Sequence, residues 1–179
     1  MAEPEKNLSS RQIYRGRAVN LRLDSVEKAN GRQTTREVVE HSDSVAAVAL
    51  DQQGNLVLVR QYRHAVAKSL LEIPAGGIDP GEKPVESVRR ELQEEIGYFP
   101  KKIDRLGGFY VTPGYCTEYL HCFLATDLVP ARLVAEDTED IEIAHVPPAE
   151  IPGLIISGDI CDAKTVAALL LFLLIGRTK

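Results

Sequence analysis

GGIDPGEKPVESVRRELQEEIGY, residues 76–98, is the stretch from which the rest of the chain can be read. Pro80 and Gly81 break regular structure, and Pro84 sits where a first-turn proline starts a helix without losing a needed hydrogen bond. Val85, Val88, Leu92 and Ile96 follow at spacings of three, four and four, an apolar stripe that faces a core. Gly97 ends the helix where a left-handed residue is wanted. Glu91, Glu94 and Glu95 lie off that stripe on a single face, with Glu91 and Glu95 one turn apart, roughly 6 Å of rise. Carboxylates this close repel one another unless a cation neutralises them, and hard oxygen ligands so arranged suit Mg²⁺ or Mn²⁺. The segment reads as a metal site.

Working outward, alternation of apolar and polar residues from Ile13 to Val26 predicts strands, and Asn30-Gly31 is a two-residue hairpin signal before a second strand, Thr34 to Glu40. β-rich runs at Val45 to Leu50 and Leu56 to Tyr62, joined by a turn over residues 51–55, and a short run at Leu70 to Ile73 predict the central sheet. After the helix, strands are expected at Ile103 to Tyr110, Glu118 to Thr126 and Ile141 to Val146. A short helix near Ala149 to Ile156 and a longer one capped by Asp162 and ending near Ile175 close the chain. There is no internal repeat or low-complexity segment.

At 179 residues and 44% hydrophobic, the chain has the size and balance of one globular domain with room for a small flanking unit. A net charge of -5 argues against a broad electrostatic grip on nucleic acid. The three cysteines, Cys116, Cys122 and Cys161, form no close C-x-x-C pair, which fits a reduced, cytoplasmic protein. The first twelve residues lack a basic segment followed by an apolar one and read as a loose tail rather than a secretion signal. Val166 to Ile175 is too short an apolar run to cross a bilayer, about 15 Å as a helix, and reads as a buried helix.

The residues 76–98 resemble the Nudix box, G-x5-E-x7-R-E-U-x-E-E-x-G-U, with Gly76, Glu82, Arg90, Glu91, Leu92, Glu94, Glu95 and Gly97 in place. Only Tyr98 departs, standing where an aliphatic residue is usual. Seven fixed identities at about 7% each arise by chance at roughly 10⁻⁸ per starting point. The competing reading, a solvated helix face laced with Lys and Arg, does not account for the glycines flanking the helix. Beyond the box, V-R-Q-Y-R at Val59 to Arg63, L-E-I-P-A-G-G at Leu71 to Gly77 and T-P-G-Y-C-T-E at Thr112 to Glu118 are similar to the ADP-ribose pyrophosphatase branch. Gly97 to Pro113 is the spacing at which that branch carries its proline.

The resemblance implies a Nudix fold, an α/β/α sandwich around a mixed sheet, with an N-terminal β-hairpin unit in residues 1–42 and the hydrolase domain in 43–179. It implies divalent-metal-dependent cleavage of a nucleoside diphosphate linked to a sugar, ADP-ribose first, with GDP-mannose or another sugar nucleotide as the alternative. A non-catalytic nucleotide sensor and a hydrolase of damaged nucleoside triphosphates are less favoured.

Glu91 and Glu95 are the first-choice ligands; Glu94 completes a site for two or three ions, and the family implies a backbone carbonyl ligand at Ala75. Arg90 and Glu82 orient those ligands, with direct metal contact by Glu82 an open alternative. Glu118 is a candidate general base, or else a residue that caps a loop. Arg63, and less so Arg60, is a candidate for the diphosphate, the alternative being a surface charge pair with Glu72. Tyr14, Arg36 and Glu37 belong to the hairpin, which in this branch exchanges between two subunits and helps build the partner's pocket. A homodimer is therefore expected, as cover for an edge hairpin. His41, His64, His121 and His145 lack ligand spacing and read as structural or surface residues, and Cys116 as a small packed one. Glu136 to Asp140 reads as a solvated acidic loop.

Overall fold

A computed structural model of the chain describes residues 4–135, 138 and 140–176. In chain order the strands are β1 Lys6–Arg15, β2 Asn20–Glu27, β3 Gln33–Glu40, β4 Ser44–Ala49, β5 Leu56–Arg63, β6 Lys68–Glu72 and β7 Ala75–Gly77. Helix α1, Pro84–Glu95, precedes β8 Tyr98–Tyr110, β9 Tyr119–Pro130 and β10 Glu142–Val146. Helices α2, Ile151–Ser157, and α3, Ala163–Gly176, follow. The chain divides into two compact units, one of residues up to Asp43 together with Tyr110–Tyr119, the other of Ser44–Phe109 with the chain from Leu120 onward.

In the second unit β4 is the organising element. All six of its residues are buried, and it pairs antiparallel with β7 and parallel with β9 in a mixed sheet of order β7-β4-β9-β8. A strand covered on both faces reads as an unbroken apolar run, which is why S-V-A-A-V-A shows no alternation. Val45, Ala47 and Ala49 join Val88 and Leu92 of α1, and Ile96 just past its end, in one core cluster. Alternate residues of a strand point to opposite faces, and α3 also packs on β4. Helices on both faces of a mixed sheet make the α/β/α sandwich. A second, antiparallel sheet, β10-β5-β6, completes this unit.

Local chemistry accounts for the element ends. Lys83 N donates to the Glu86 carboxylate at 3.1 Å ahead of Pro84, and Gly97 takes φ 78° directly after α1. Asp51 accepts from the backbone of Gln53 and Asn55 at 2.9 and 2.8 Å, closing the β4–β5 turn. Asp162 caps α3, its carboxylate accepting from Thr165 N at 3.0 Å.

The first unit is the antiparallel sheet β1-β2-β3, in which Asp24 faces Arg36 across β2 and β3. The loop over Thr112–Cys116 belongs to it, since Val39 N donates to Tyr115 O and Thr117 N to Val39 O at 2.7 and 3.0 Å.

Several expectations are corrected. Most of the supposed tail forms β1, exposed at every position but paired with β2 through its backbone. Asn30-Gly31 lies in a longer loop, closed by Lys28 N donating to Arg32 O, rather than a two-residue hairpin. β8 begins at Tyr98, five residues early, because Pro100 is buried while Lys101 and Lys102 are exposed, which obscures the alternation. β9 runs on to Pro130 past Asp127, whose φ of 54° interrupts the pattern. Helix α3 is only half buried: Ala168 and Leu169 are in the core, but Leu170 and Leu174 are exposed. Among the described residues no helix is long and apolar enough to cross a membrane. Of the acidic stretch, Glu136, Asp137 and Glu139 lie outside the described residues.

Candidate active site

The carboxylates of α1 meet β7 at a point where only a residue without a side chain fits. A Cβ on Gly76 would lie 2.1 Å from the carboxyl carbon of Glu91, so the Glu91 side chain occupies that place. One residue earlier, Ala75 N donates to Glu95 Oε2 at 3.0 Å. The loop and the helix are thus joined through the two glutamates expected to bind metal.

Burial makes these side chains unusual. The Glu91 side chain is 12% exposed and that of Glu94 17%, and Glu95 is 8% exposed as a residue, nearer the core than a position off the apolar stripe suggests. Desolvation pushes the Glu95 carboxyl up to about 8, against the pull of the Ala75 N–H and of Arg63 and Lys164. Burial also raises Glu91, against Arg90. Without a cation, burial in this fold thus favours the protonated form of Glu95.

Arg90 is the centre of the cluster. It donates to Glu82 through Nε and Nη2 at 3.2 and 3.0 Å, to Glu91 and Glu94 through Nη1 at 2.6 and 3.1 Å, and to Gly77 O at 3.0 Å. A planar fork with five N–H groups can span three carboxylates and a carbonyl; an ammonium cannot. Glu82 also accepts from the buried Ser87 hydroxyl at 2.6 Å, and chiefly the Arg90 bonds hold it down at about 2. Its oxygens are occupied as an orienting partner's would be.

The expected diphosphate residues part company along β5. Val59 is buried, Arg60 and Tyr62 are exposed, and Gln61 and Arg63 are half-buried, so Arg60 and Arg63 lie on opposite faces. Arg63 donates through Nε and Nη2 to Glu72 at 2.8 and 2.6 Å. This is no surface pair, because Glu72 is 1% exposed. In the first unit, Arg36 places its fork on Glu5 at 3.1 and 2.6 Å, and Glu37 is exposed. Pro113 lies in the loop tied to Val39, and the Tyr14 ring covers Gly16. Glu118 lies 3.9 Å from His41 Nδ1, while His41 N donates to the Thr117 hydroxyl at 3.0 Å. His41 therefore adjoins the candidate base, a placement that accords with the structural or surface reading of its sequence position.

Two features had no reading in the sequence. The overlap of Gly76 and Glu91 is a contact between residues fifteen apart in an undecided loop geometry. The second partner of Glu72, Lys164, comes from the last helix. A glutamate amid Leu70, Leu71 and Ile73 was the available signal, since a charge in a buried run needs partners. A cavity of about 240 Å³ bordered by Asp51, Val57, Tyr98, Leu128 and His145 is lined by none of the α1 carboxylates.

The donor set fits a hard divalent ion. Buried carboxylates whose ionisation burial disfavours gain from such an ion. Among the described residues no three His, Cys, Asp or Glu converge on one point. Coordination by one or two carboxylates, with carbonyl, water or phosphate oxygens completing it, is the habit of Mg²⁺-type sites.

A glycine-lined loop clamped to a helix of arginine-centred glutamates, on a sandwich of this topology, defines a Nudix hydrolase. The NUDIX domain matches residues 40–169, and the nucleoside diphosphate sugar hydrolase N-terminal domain matches residues 5–39. The chain belongs to the Nudix family, whose hydrolases use divalent metal ions. It is 35% identical over 167 residues to the ADP-ribose pyrophosphatase of Bacillus subtilis (strain 168), covering 92% of this chain and 90% of that protein. It is 36% identical over 174 residues to the ADP-ribose pyrophosphatase of Mycobacterium tuberculosis (strain ATCC 25618 / H37Rv), covering 95% and 84%. A solved structure of an ADP compounds hydrolase matches with a TM-score of 0.89 at 26% identity, over 99% of this chain and 97% of that one.

The contact at Gly76 carries a sharp expectation. Gly76→Ala displaces only the far end of a flexible side chain, so thermal unfolding shifts by less than about 4 °C. It moves Glu91 off its place, and metal-supported turnover falls by ~100-fold or more. Unfolding curves and initial rates on the same preparation check both halves.

Proposed function

We propose that the chain is a cytoplasmic, Mg²⁺-dependent pyrophosphatase of nucleoside diphosphate sugars whose preferred substrate is ADP-ribose, cleaved to AMP and ribose 5-phosphate. The observation that carries this reading is the intact carboxylate cluster on α1, with Glu95 buried, Glu91 seated over Gly76 and Arg90 tying Glu82, Glu91 and Glu94 together. The relatives named above lend it the substrate.

Glu91 and Glu95, with Glu94 and the Ala75 carbonyl, would hold the ions. Bound there, divalent ions supply charge neutralisation at the phosphoryl oxygens and an acidified water. The chain does the rest. Arg90 keeps three acidic side chains from repelling each other out of position, and Glu82 fixes the angle of Arg90. Glu118 takes the proton of the attacking water as its oxygen bonds to phosphorus and the bridging P–O bond breaks. Arg63, with Nε and one Nη2 N–H on Glu72, retains its Nη1 face for a diphosphate oxygen; Arg60, on the outer face, has a lesser part. We place dimerisation in residues 1–42, with Arg36 and Glu37 serving the partner's pocket and Pro113 shaping the substrate loop. An exposed ten-residue edge strand bearing Leu8, Ile13 and Tyr14 on its surface supports a second copy as its cover.

The test is a panel of ADP-ribose, GDP-mannose, other sugar nucleotides, dinucleotides and nucleoside triphosphates, incubated with Mg²⁺ and separated by anion exchange. AMP with ribose 5-phosphate from ADP-ribose, at a kcat/KM ~10-fold or more above every other member and abolished by EDTA, is the expected result. Preference for GDP-mannose or a triphosphate would reassign the substrate, and no release from any member would make the chain a nucleotide-binding module.

A further inference from the structure

Each residue from Glu72 to Gly76 is held by something other than its chain neighbours. Glu72 receives Arg63 and Lys164, Ile73 N donates to the Thr165 hydroxyl at 3.1 Å, and Pro74 O accepts from Ala47 N at 3.0 Å. Ala75 N donates to Glu95, and Gly76 lies beneath Glu91. The last two contacts belong to the metal-binding helix. The first two reach the opening turn of α3, where Lys164 Nζ also donates to Asp162 Oδ2 at 2.8 Å and the Thr165 hydroxyl donates to the same oxygen at 2.6 Å.

Capping alone does not explain Lys164. Asp162 caps the helix through Thr165 N, and that bond does not involve the lysine ammonium. Lys164 instead reaches a carboxylate that is 1% exposed and already bonded twice by Arg63. A buried carboxylate facing two cations holds both in place, because leaving either costs it a charged partner in a poorly solvated site.

We propose that Lys164 is a positioning residue of the active site, fixing through Glu72 both the guanidinium of Arg63 and the segment 72–76 on which Glu91 and Glu95 rest. The inference rests on the nucleotide-sugar reading above. Arg63, Glu72, Lys164 and Asp162 together balance two positive and two negative charges. With Lys164 neutral the set carries one net negative charge around the Arg63 guanidinium, and an anionic diphosphate is bound less well.

The experiment measures binding of an α,β-methylene analogue of ADP-ribose by calorimetry with Mg²⁺, beside steady-state kinetics and thermal unfolding. Lys164→Met is expected to weaken analogue binding and to raise KM by ~10-fold each, with kcat falling by less than KM rises. Lys164→Arg returns both to within about threefold of the parent, although a guanidinium caps the helix no better. A purely structural lysine would move the unfolding temperature and leave Kd and KM within twofold, which overturns the proposal. Should Lys164→Met fail to fold, Lys164→Gln, which keeps a donor for Glu72 without the charge, carries the same expectation. Failure of analogue binding and of hydrolysis in the parent protein overturns the nucleotide-sugar reading itself. Binding by the parent with Lys164→Met unaffected overturns the role of Lys164 alone.

Discussion

Glu95→Gln is expected to lower Mg²⁺-supported turnover by ~10³-fold while making the metal-free protein more stable than its parent above pH 8. The two effects come from one cause. Burial raises the Glu95 carboxyl to about 8, so the metal-free fold favours its protonated form. A group whose folded value is raised contributes its full stabilisation below the unfolded carboxylate value and loses it as pH rises through the folded one. Between about pH 4.5 and 8 the metal-free protein therefore loses roughly 4–5 kcal/mol from this residue, on the order of 10 °C in Tm. Glutamine keeps the acceptor for Ala75 N and has no proton to lose, so its unfolding temperature is flatter across that range. Mg²⁺ must displace the proton, so in the parent its apparent affinity rises about tenfold per pH unit below pH 8. Scanning calorimetry of both proteins in EDTA and in Mg²⁺ from pH 5 to 9 is the measurement. Parallel pH curves for the two would show that Glu95 is already ionised in the metal-free fold.

Arg90→Met is expected to lower turnover by ~100-fold and, in EDTA at pH 7, to cost about 2–3 kcal/mol, or roughly 4–12 °C in Tm. The substitution leaves Glu82, Glu91 and Glu94, all mostly buried, around a missing cation. The sign with pH follows from Glu82, held near 2 chiefly by Arg90. Stabilisation from a depressed carboxylate is present above its unfolded value and lost as pH falls through the folded one. The difference between parent and variant therefore shrinks below about pH 4.5 and is nearly gone by pH 2. Arg90→Lys restores charge without the fork and should recover part of the Tm but little of the turnover. Added Mg²⁺ should narrow the stability gap, because an ion among the carboxylates replaces part of the lost positive charge. A variant as stable as its parent in EDTA would mean that the glutamates relax apart without help.

Where the chain carries a strong local period, the elements were legible in advance. The stripe Val85, Val88, Leu92 and Ile96 announced α1 and the surface on which it rests, and all but the partly buried Val85 are in the core. Asp162 as a cap and Gly97 as a left-handed stop were legible for the same reason, since each acts on residues within one turn of itself. The period failed at β8 and β9, where Pro100 and the irregularity at Asp127 break the alternation. It misled at α3, where an unbroken apolar run suggested burial all round, while Leu170 and Leu174 remain exposed.

The amino-acid sequence by itself determined the family, the acidic face of α1 and the kind of ion that face suits, because spacing along a helix converts directly into geometry. The tertiary structure alone decided how those acids are held: Glu91 over Gly76, Glu95 buried against Ala75, and Arg63 shared with Lys164 on Glu72. Burial and ion pairing depend on which distant segments meet, and ionisation follows from burial. For that reason the burial that raises Glu95 and the ion pair of Lys164 with Glu72 follow only from the packing of β6, α1 and α3 around residues 72–76.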